Sequence, residues 1–260
     1  MAIITFLSDY GARDYYTSAV KAAILGINPG INMVDISHYV SPGNIAHAAF
    51  ILKAVYKDFP EGTVHLVSVN DSGQKDCKPI AVKMDNRFFV GVDNGLFGLV
   101  LDGTNGITVD LNIKNIHSTF VCKDVLAPVA AKLASGTEIS NLGGPLEGFR
   151  RMIDRHLRAN KTQIIGNVVH VDGRGNLITN IDKNTFEHLT EGKSIFISFG
   201  RENSRTVHEN YYSVEPGDCF LLFNDLGLLE IGVRQGSATQ LLGLKYDSNV
   251  VVNILEKGKV

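Results

Sequence analysis

Acidic and polar residues gather where short apolar runs end. Ser8-Asp9-Tyr10-Gly11, and then Asp14, follow the first run. His38, Ser41 and Asn44 follow the second, and Asn70-Asp71-Ser72-Gly73-Gln74 follow the third. A carboxylate at such a strand end can accept two hydroxyl hydrogen bonds, as a ribose diol offers. For each acid taken alone, a helix N-cap or an Asx turn is the competing explanation. Their recurrence across three loops favours a site, with Asp9 and Asp71 converging if the first and third strands are neighbours. A separate string, Asp172-Gly-Arg-Gly-Asn176-Leu-Ile-Thr-Asn180, lets the backbone turn sharply while Asp172 and Asn176 project close together. An Asn amide offers a donor and an acceptor, which suits a purine edge, although a plain hairpin turn explains the same string.

Other chemistries lack their signatures. No glycine-rich phosphate loop follows the first strand, so a nucleoside bound here is not held by its phosphates. No Gly-x-Ser-x-Gly elbow and no paired His or Cys spacing occurs, which argues against serine hydrolysis and against a catalytic metal. Cys77, Cys122 and Cys219 are too few and too scattered for a disulfide framework, which fits a reducing compartment. Cys122 precedes Lys123 at an expected helix start, where a thiolate is favoured; a buried inert thiol is the alternative.

The elements that must position these residues alternate in the first part. Ile3 to Leu7, Ile31 to Ile36 and Thr63 to Val69 read as strands. Between them, Asp14 is expected to cap a helix over Tyr15 to Ile27. Ser41-Pro42-Gly43-Asn44 caps a second, with Ile45, Ala48, Ala49, Leu52 and Val55 on one face. Strand–helix–strand–helix–strand implies a mostly parallel sheet. A hairpin is expected over Ile80 to Met84 and Arg87 to Val92, turning at Asp85-Asn86. Asp124 is expected to open another helix ending near Gly136. The second part reads as short strands: Thr162 to Val171, Leu177 to Asn180, Ser194 to Phe199, Thr206 to Tyr211, Cys219 to Phe223, Leu228 to Val233 and Val250 to Leu255. With no long helical pattern between them, a small antiparallel barrel or sandwich follows. The organisation is thus an α/β domain over 1–150, a basic linker over 151–161, and a smaller antiparallel β-barrel domain over 162–260.

Composition is that of an ordinary globular protein. The chain has 260 residues, 44% hydrophobic and 20% charged, with a formal net charge of −2. That balance exerts no global pull on nucleic acid or anionic membranes. No apolar run approaches the roughly 20 residues of a membrane span, and the start lacks the basic and long apolar regions of a signal peptide. A cytoplasmic protein with a small-molecule substrate, no nucleic-acid partner and no membrane association is expected.

Taken together, the strings TFLSDYGARDYYTSAVKAAI, VDISHYVSPGNIAHAAFIL, FPEGTVHLVSV, VGVDNGLFGLVL and DGRGNLITNI resemble the S-adenosylmethionine hydroxide adenosyltransferases, a family that also contains the fluorinases and chlorinases. The late string YYSVEPGDCFLLFNDLGLLEIGVRQGSATQLLG resembles the family's C-terminal barrel. The resemblance runs in order over nearly the whole chain. It implies S-adenosylmethionine as substrate, no separate cofactor, and attack of a small nucleophile on the ribose C5′. It also implies a homotrimer, with each site between the first domain of one copy and the second domain of its neighbour.

Site residues follow from the matched motifs. Asp9 corresponds to the carboxylate on the ribose hydroxyls, Asn176 to the asparagine on the adenine edge, and Asp172 to the acid that meets the methionine ammonium. Phe120 falls where an aromatic flanks the ribose and sulfur, and Tyr212 or Tyr211 where one stacks on adenine. Asp71 matches the acid of the hydrolases' water-holding Asp-Arg-His set. The rest of that set departs from the pattern. The arginine position falls near Lys78, with Lys75 as the alternative, and the histidine position falls on Val121. The arginine that closes the methionine end in halogenases falls on Leu226. The resemblance therefore implies hydrolysis to adenosine and L-methionine, slowed by an incomplete water-activating set, with Asp71 and Lys78 as the catalytic candidates. A non-catalytic adenosine- or S-adenosylmethionine-binding module is the alternative. Halogenation fits less well, because Val121 offers no donor to a halide.

Overall fold

The computed structural model describes residues 2–71, 78–101, 106–111, 118–152 and 156–256. The chain divides into two compact units, Met1–Asp154 and Arg155–Val260.

In the first unit the elements run β1 (Ile3–Ser8), α1 (Tyr16–Ile27), β2 (Asn32–Ser37), α2 (Ile45–Val55), β3 (Val64–Ser68), β4 (Pro79–Met84), β5 (Arg87–Val92), α3 (Leu96–Val100), β6 (Ile107–Asp110), α4 (Ala127–Ala134) and β7 (Gly144–Leu146). They build a seven-stranded sheet in the order β2-β1-β3-β5-β4-β6-β7. β1 pairs in parallel with both β2 and β3, and β3 with β5; the remaining pairs are antiparallel. Side chains alternate between two cores, as a pleated strand requires. Ile4, Phe6, Val64 and Leu66 pack under α1 and α4. Leu7, Val67 and Phe89 pack under α2 and α3. Each such buried Leu, Ile or Phe stabilises the unit by roughly 1.5–3 kcal/mol before entropy is charged against it. Because β2 and β3 flank β1 on opposite sides, the chain reverses its winding at β1. In open α/β sheets a ligand crevice opens at such a point, beyond the carboxyl ends of the strands.

The β4–β5 hairpin turns at Asp85 and Asn86, both at positive φ (49° and 55°). Two consecutive positive φ values are the signature of a type I′ turn, and Asp and Asn tolerate them best after glycine.

The second unit contains β8 (Arg158–Ala159), β9 (Gln163–Val171), β10 (Leu177–Asp182), α5 (Lys183–Thr190), β11 (Ser194–Phe199), β12 (Glu202–Ser204), β13 (Cys219–Phe223), β14 (Leu228–Val233), α6 (Ala238–Leu241) and β15 (Asn249–Leu255). Its sheet is antiparallel and barrel-like, in the order β12-β11-β15-β9-β10-β14-β13, with β8 on β9. Alternate residues of every long strand, among them Ile164, Leu177, Ile197, Leu221, Leu229 and Val252, fill one interior.

Four expectations are corrected. Asp14 does not cap α1. The cap position is Tyr15, already in helical conformation and without a side-chain cap. Ring packing sets the first turn instead: Tyr15 stacks on Tyr16, with centroids 4.5 Å apart, and Tyr16 meets the edge of Phe120. Asp124 does not open its helix. A π turn, Cys122–Leu126, precedes α4, and Asp124 sits inside it, accepting from the Ser118 hydroxyl at 2.6 Å. Thr206 to Tyr211 is not a strand. The Ser204 hydroxyl accepts from the Thr206 N–H and donates to its carbonyl, ending β12 in a local turn. The following segment bonds to β13 through His208, whose N–H donates to the Leu221 carbonyl and whose Nδ1 accepts from the Leu221 N–H. The second half does contain a helix of eight residues, α5, capped by Asp182 Oδ1 accepting from the Thr185 N–H at 2.8 Å. Gly73, Gln74, Lys75, Cys77 and the linker residues Ile153, Asp154 and Arg155 lie outside the described residues.

His65 on β3 is fully buried, with Nδ1 paired to the Thr5 hydroxyl at 2.8 Å and its ring stacked on Phe89. Burial, then nearby Arg87, lowers its pKa from 6.5 to about 3. The folded state therefore keeps His65 neutral while the unfolded chain takes up a proton below about 6.5. Stability is expected to fall as pH drops from about 6.5 toward 3. Thermal melts of His65→Gln between pH 7 and 4 should lose less Tm than wild type; an equal loss contradicts this assignment.

Candidate active site

Three loops leave the carboxyl ends of β1, β2 and β3, and hydrogen bonds tie them together. Asp9 Oδ2 accepts the Gly43 N–H at 2.9 Å and the Asn70 N–H at 3.2 Å. One carboxylate oxygen of the first loop thus anchors the other two, so Asp9 makes a tertiary tie rather than a local cap. His38 fastens the first two loops again. Its carbonyl accepts from the Gly11 N–H at 2.7 Å, and its Nδ1 meets the Ser8 hydroxyl at 2.8 Å. Asp35 approaches the other ring nitrogen at 3.2 Å and is itself held by Lys21 at 2.6 Å.

After β3 the chain reverses through Asn70, at φ 51°. Asn is among the few residues that enter this left-handed region at low cost. The buried Asn94 amide supports the bend by donating to the Val69 carbonyl at 2.8 Å. The reversal brings Asp71 back over Ser68. Asp71 Oδ2 then accepts two hydroxyls, from Ser68 Oγ at 2.6 Å and from the Tyr10 phenol at 2.7 Å. Asp9 and Asp71 therefore follow the ends of the paired strands β1 and β3, although Asp9 is not among the residues that line the cavity beside Asp71.

A cavity of about 220 Å³ opens beside Asp71, lined by Tyr10, Tyr16, Asp71, Thr119, Phe120 and Val121. Its wall is aromatic. Tyr10 meets Phe120 edge-on at 5.7 Å, and Tyr16 meets Phe120 edge-on at 5.4 Å. Phe120 and Val121 are presented by the start of the π turn, a distortion frequent at functional sites. Asp71 supplies the carboxylate of this wall.

The remaining predicted residues fall as follows. Lys78 lies at the start of β4, and its ammonium bonds Asp110 Oδ2 at 3.1 Å; it is not among the cavity's lining residues. Cys122 is fully buried behind the cavity. Burial pushes its thiol up to about 12, so the alternative of an inert thiol is the correct one. Among the described residues no three His, Cys, Asp or Glu side chains are grouped to hold a metal ion.

In the second unit, Asp172 and Asn176 bracket the β9–β10 turn. Asp172 Oδ1 accepts the N–H groups of Arg174 and Asn176, both at 2.8 Å, and Oδ2 accepts the Asn176 amide at 3.1 Å. Gly175 between them has φ +84°, and a Cβ there would overlap the Ser237 hydroxyl, so only glycine fits. Tyr212 is 74% exposed, with its backbone N–H on Asn210. Tyr211 instead packs edge-on against Phe220, and burial, then nearby Glu230, pushes its phenol above the usual range. Leu226 is exposed in the β13–β14 turn.

Sequence reasoning assigned no role to Tyr10, Ser68 or Glu230. Tyr10 stood next to the candidate Asp9, but its partner Asp71 is 61 positions away and only the fold brings them together. Glu230 sits in an apolar strand with 4% exposure. Its burial pushes the carboxyl up from the usual range, and nearby Asp172 and Asp225 add to the rise. An acid inside the string Leu-Leu-Glu-Ile-Gly-Val was the one available signal.

Comparisons with known proteins match both halves of the chain to one family. A profile for the SAM hydroxide adenosyltransferase N-terminal domain matches residues 4–143, and one for the C-terminal domain of the same enzymes matches residues 166–251. An (R)-S-adenosyl-L-methionine hydrolase of Methanocaldococcus jannaschii is 30% identical, covering 94% of this chain and 93% of its own. One of the same name from Thermus thermophilus is also 30% identical, over 94% and 97% of the two chains. The crystal structure of an uncharacterized conserved protein from Thermotoga maritima superposes with a TM-score of 0.87 at 32% identity, covering 96% of this chain and 99% of its own. With both halves matched in order, the chain belongs to the SAM hydroxide adenosyltransferase family.

Proposed function

We propose that the protein hydrolyses S-adenosyl-L-methionine to adenosine and L-methionine, water attacking the ribose C5′. The observation that carries this is Asp71, hydroxyl-bonded on one oxygen and lining an aromatic-walled cavity at the carboxyl ends of β1 and β3. The relatives named for the same hydrolysis support it.

The sulfonium is a good leaving group and needs no acid. As the water oxygen bonds to C5′, the C5′–S pair leaves with sulfur and gives the neutral thioether of methionine. The water proton passes to Asp71 and from there to solvent. Most of the gain comes from holding water in line in a dry pocket. A positioned base adds about 10²–10⁴-fold. Val121 cannot transfer a proton and Lys78 is engaged by Asp110, so we assign proton acceptance to Asp71. Asp9 takes the ribose hydroxyls, Phe120 flanks the ribose and sulfur, Asn176 and Tyr211 or Tyr212 take adenine, and Asp172 takes the ammonium. As the family resemblance implies, we further propose a homotrimer in which a neighbouring copy completes each site. Exposed Tyr15 and Tyr39 on the first unit offer apolar surface for such contact. The free thiols Cys122 and Cys219 fit a reducing, cytoplasmic location.

Purified protein incubated with S-adenosylmethionine should yield adenosine and methionine in equal amounts by chromatography. Asp71→Asn should lower kcat by about 10²–10⁴-fold while substrate affinity stays within a few-fold. No adenosine above the buffer blank at stoichiometric enzyme rejects the assignment. Tight calorimetric binding without turnover would make the protein a nucleoside-binding module instead. Light scattering should give about three times the chain mass of 28.3 kDa; a monomer rejects the shared site.

A further inference from the structure

Tyr10 places a half-buried phenol where ring packing alone would be served by a phenylalanine. Its ring lies against Phe120 and Tyr16, and its hydroxyl reaches both Asp71 Oδ2 and Ser68 Oγ at 2.7 Å. A part-buried hydroxyl left unpaired is costly, and Asp71 accepts from this one. The protons can be counted. Ser68 gives its one proton to Asp71, and Tyr10 gives its own to the same oxygen. Two donors on Oδ2 fix the plane of the carboxylate and leave Oδ1 as the more basic oxygen.

The neighbouring groups keep this arrangement in one charge state. Among the described residues the titratable groups around Asp71 include Tyr10, from the loop after β1, Tyr16, from α1, which lines the same cavity, and Cys122, from the π turn. Burial above all, and then the proximity of Cys122 and Asp71, pushes the Tyr10 phenol far above the tyrosine range. Burial likewise holds Cys122 as a neutral thiol, up to about 12. Both therefore remain uncharged at neutral pH, and Tyr10 stays a donor rather than a base.

We propose that Tyr10, together with Ser68, is a positioning residue for Asp71, the two neutral hydroxyls clamping one oxygen of its carboxylate. The inference rests on the hydrolysis proposed above and adds what directs its base. In the step itself the water oxygen bonds to C5′, and the C5′–S electron pair departs with sulfur. The water proton goes to Asp71 Oδ1, and Tyr10 and Ser68 keep their own protons throughout.

The test is the pH profile of kcat and KM for wild type, Tyr10→Phe and Ser68→Ala, with folding checked by melting temperature. Tyr10→Phe keeps the ring and its packing. It should lower kcat about 10-fold or more with KM within about 2-fold, since a hydrogen bond to a charged group is lost only at the base. The acidic limb of the kcat profile should move to higher pH, because removing a donor disfavours the charged carboxylate. Ser68→Ala should move it in the same direction. Wild-type turnover with an unmoved limb in both variants overturns the clamp and leaves hydrolysis intact. A melting temperature that falls while kcat and the limb hold assigns Tyr10 to structure alone and overturns it too. Absence of turnover in wild type removes both.

Discussion

A carboxylate removed from bulk water needs fixed donors, and the first unit is organised around meeting that need twice at one edge of its sheet. Asp9 and Asp71 stand at the carboxyl ends of neighbouring parallel strands. Two backbone N–H groups from the second and third loops satisfy one of them, and two side-chain hydroxyls satisfy the other. The first arrangement welds three loops into one rim. The second sets an acid beside a cavity while spending only neutral groups on it. Everything else in the unit serves this rim. β1 lies between β2 and β3, α1 and α2 cover opposite faces, and the apolar alternation of β1 and β3 locks their register.

Neutral donors are a physical choice with consequences. A guanidinium beside the acid would bind the carboxylate bidentately and hold it ionised, but it would also compete for the lone pairs that water needs. Hydroxyls orient the group with weaker stabilisation of its charge. The aromatic wall of Tyr16 and Phe120 then excludes solvent without adding charge near a cationic substrate. In the second unit the logic differs. Asp172 is held by three donors of its own turn, while burial above all, and then nearby Asp172, pushes the Glu230 carboxyl up toward its neutral form.

Much of this was legible in the residues. β11, β13 and β14 begin and end where short apolar runs do, and the Asp85-Asn86 turn follows from residues that accept positive φ. Asp9, Asp71, Asp172 and Asn176 stood out because polar residues ending apolar strands face the crevice side of a parallel sheet or a tight turn. What stayed hidden was tertiary. Thr206 to Tyr211 has strand-like chemistry, but a single hydroxyl, on Ser204, bends the chain out of the ladder first. Asp124 resembles a cap, yet the helix begins earlier because the chain has already turned into a π register. α5 was missed because eight residues with Phe186 as the buried one carry almost no periodic signal. The Tyr10–Asp71 bond has no local trace at all, since neither residue is near the other until the parallel strands pair.

The central claim is that the rim at the ends of β1, β2 and β3 receives an adenosyl group with its reacting carbon next to Asp71. A crystal structure of the Asp71→Asn protein, slowed in turnover and soaked with S-adenosylmethionine, addresses it directly. Density should place the ribose hydroxyls on Asp9 and C5′ in the cavity between Tyr10 and Phe120. A nucleoside bound elsewhere on the chain, or an empty rim at saturating substrate, would contradict it.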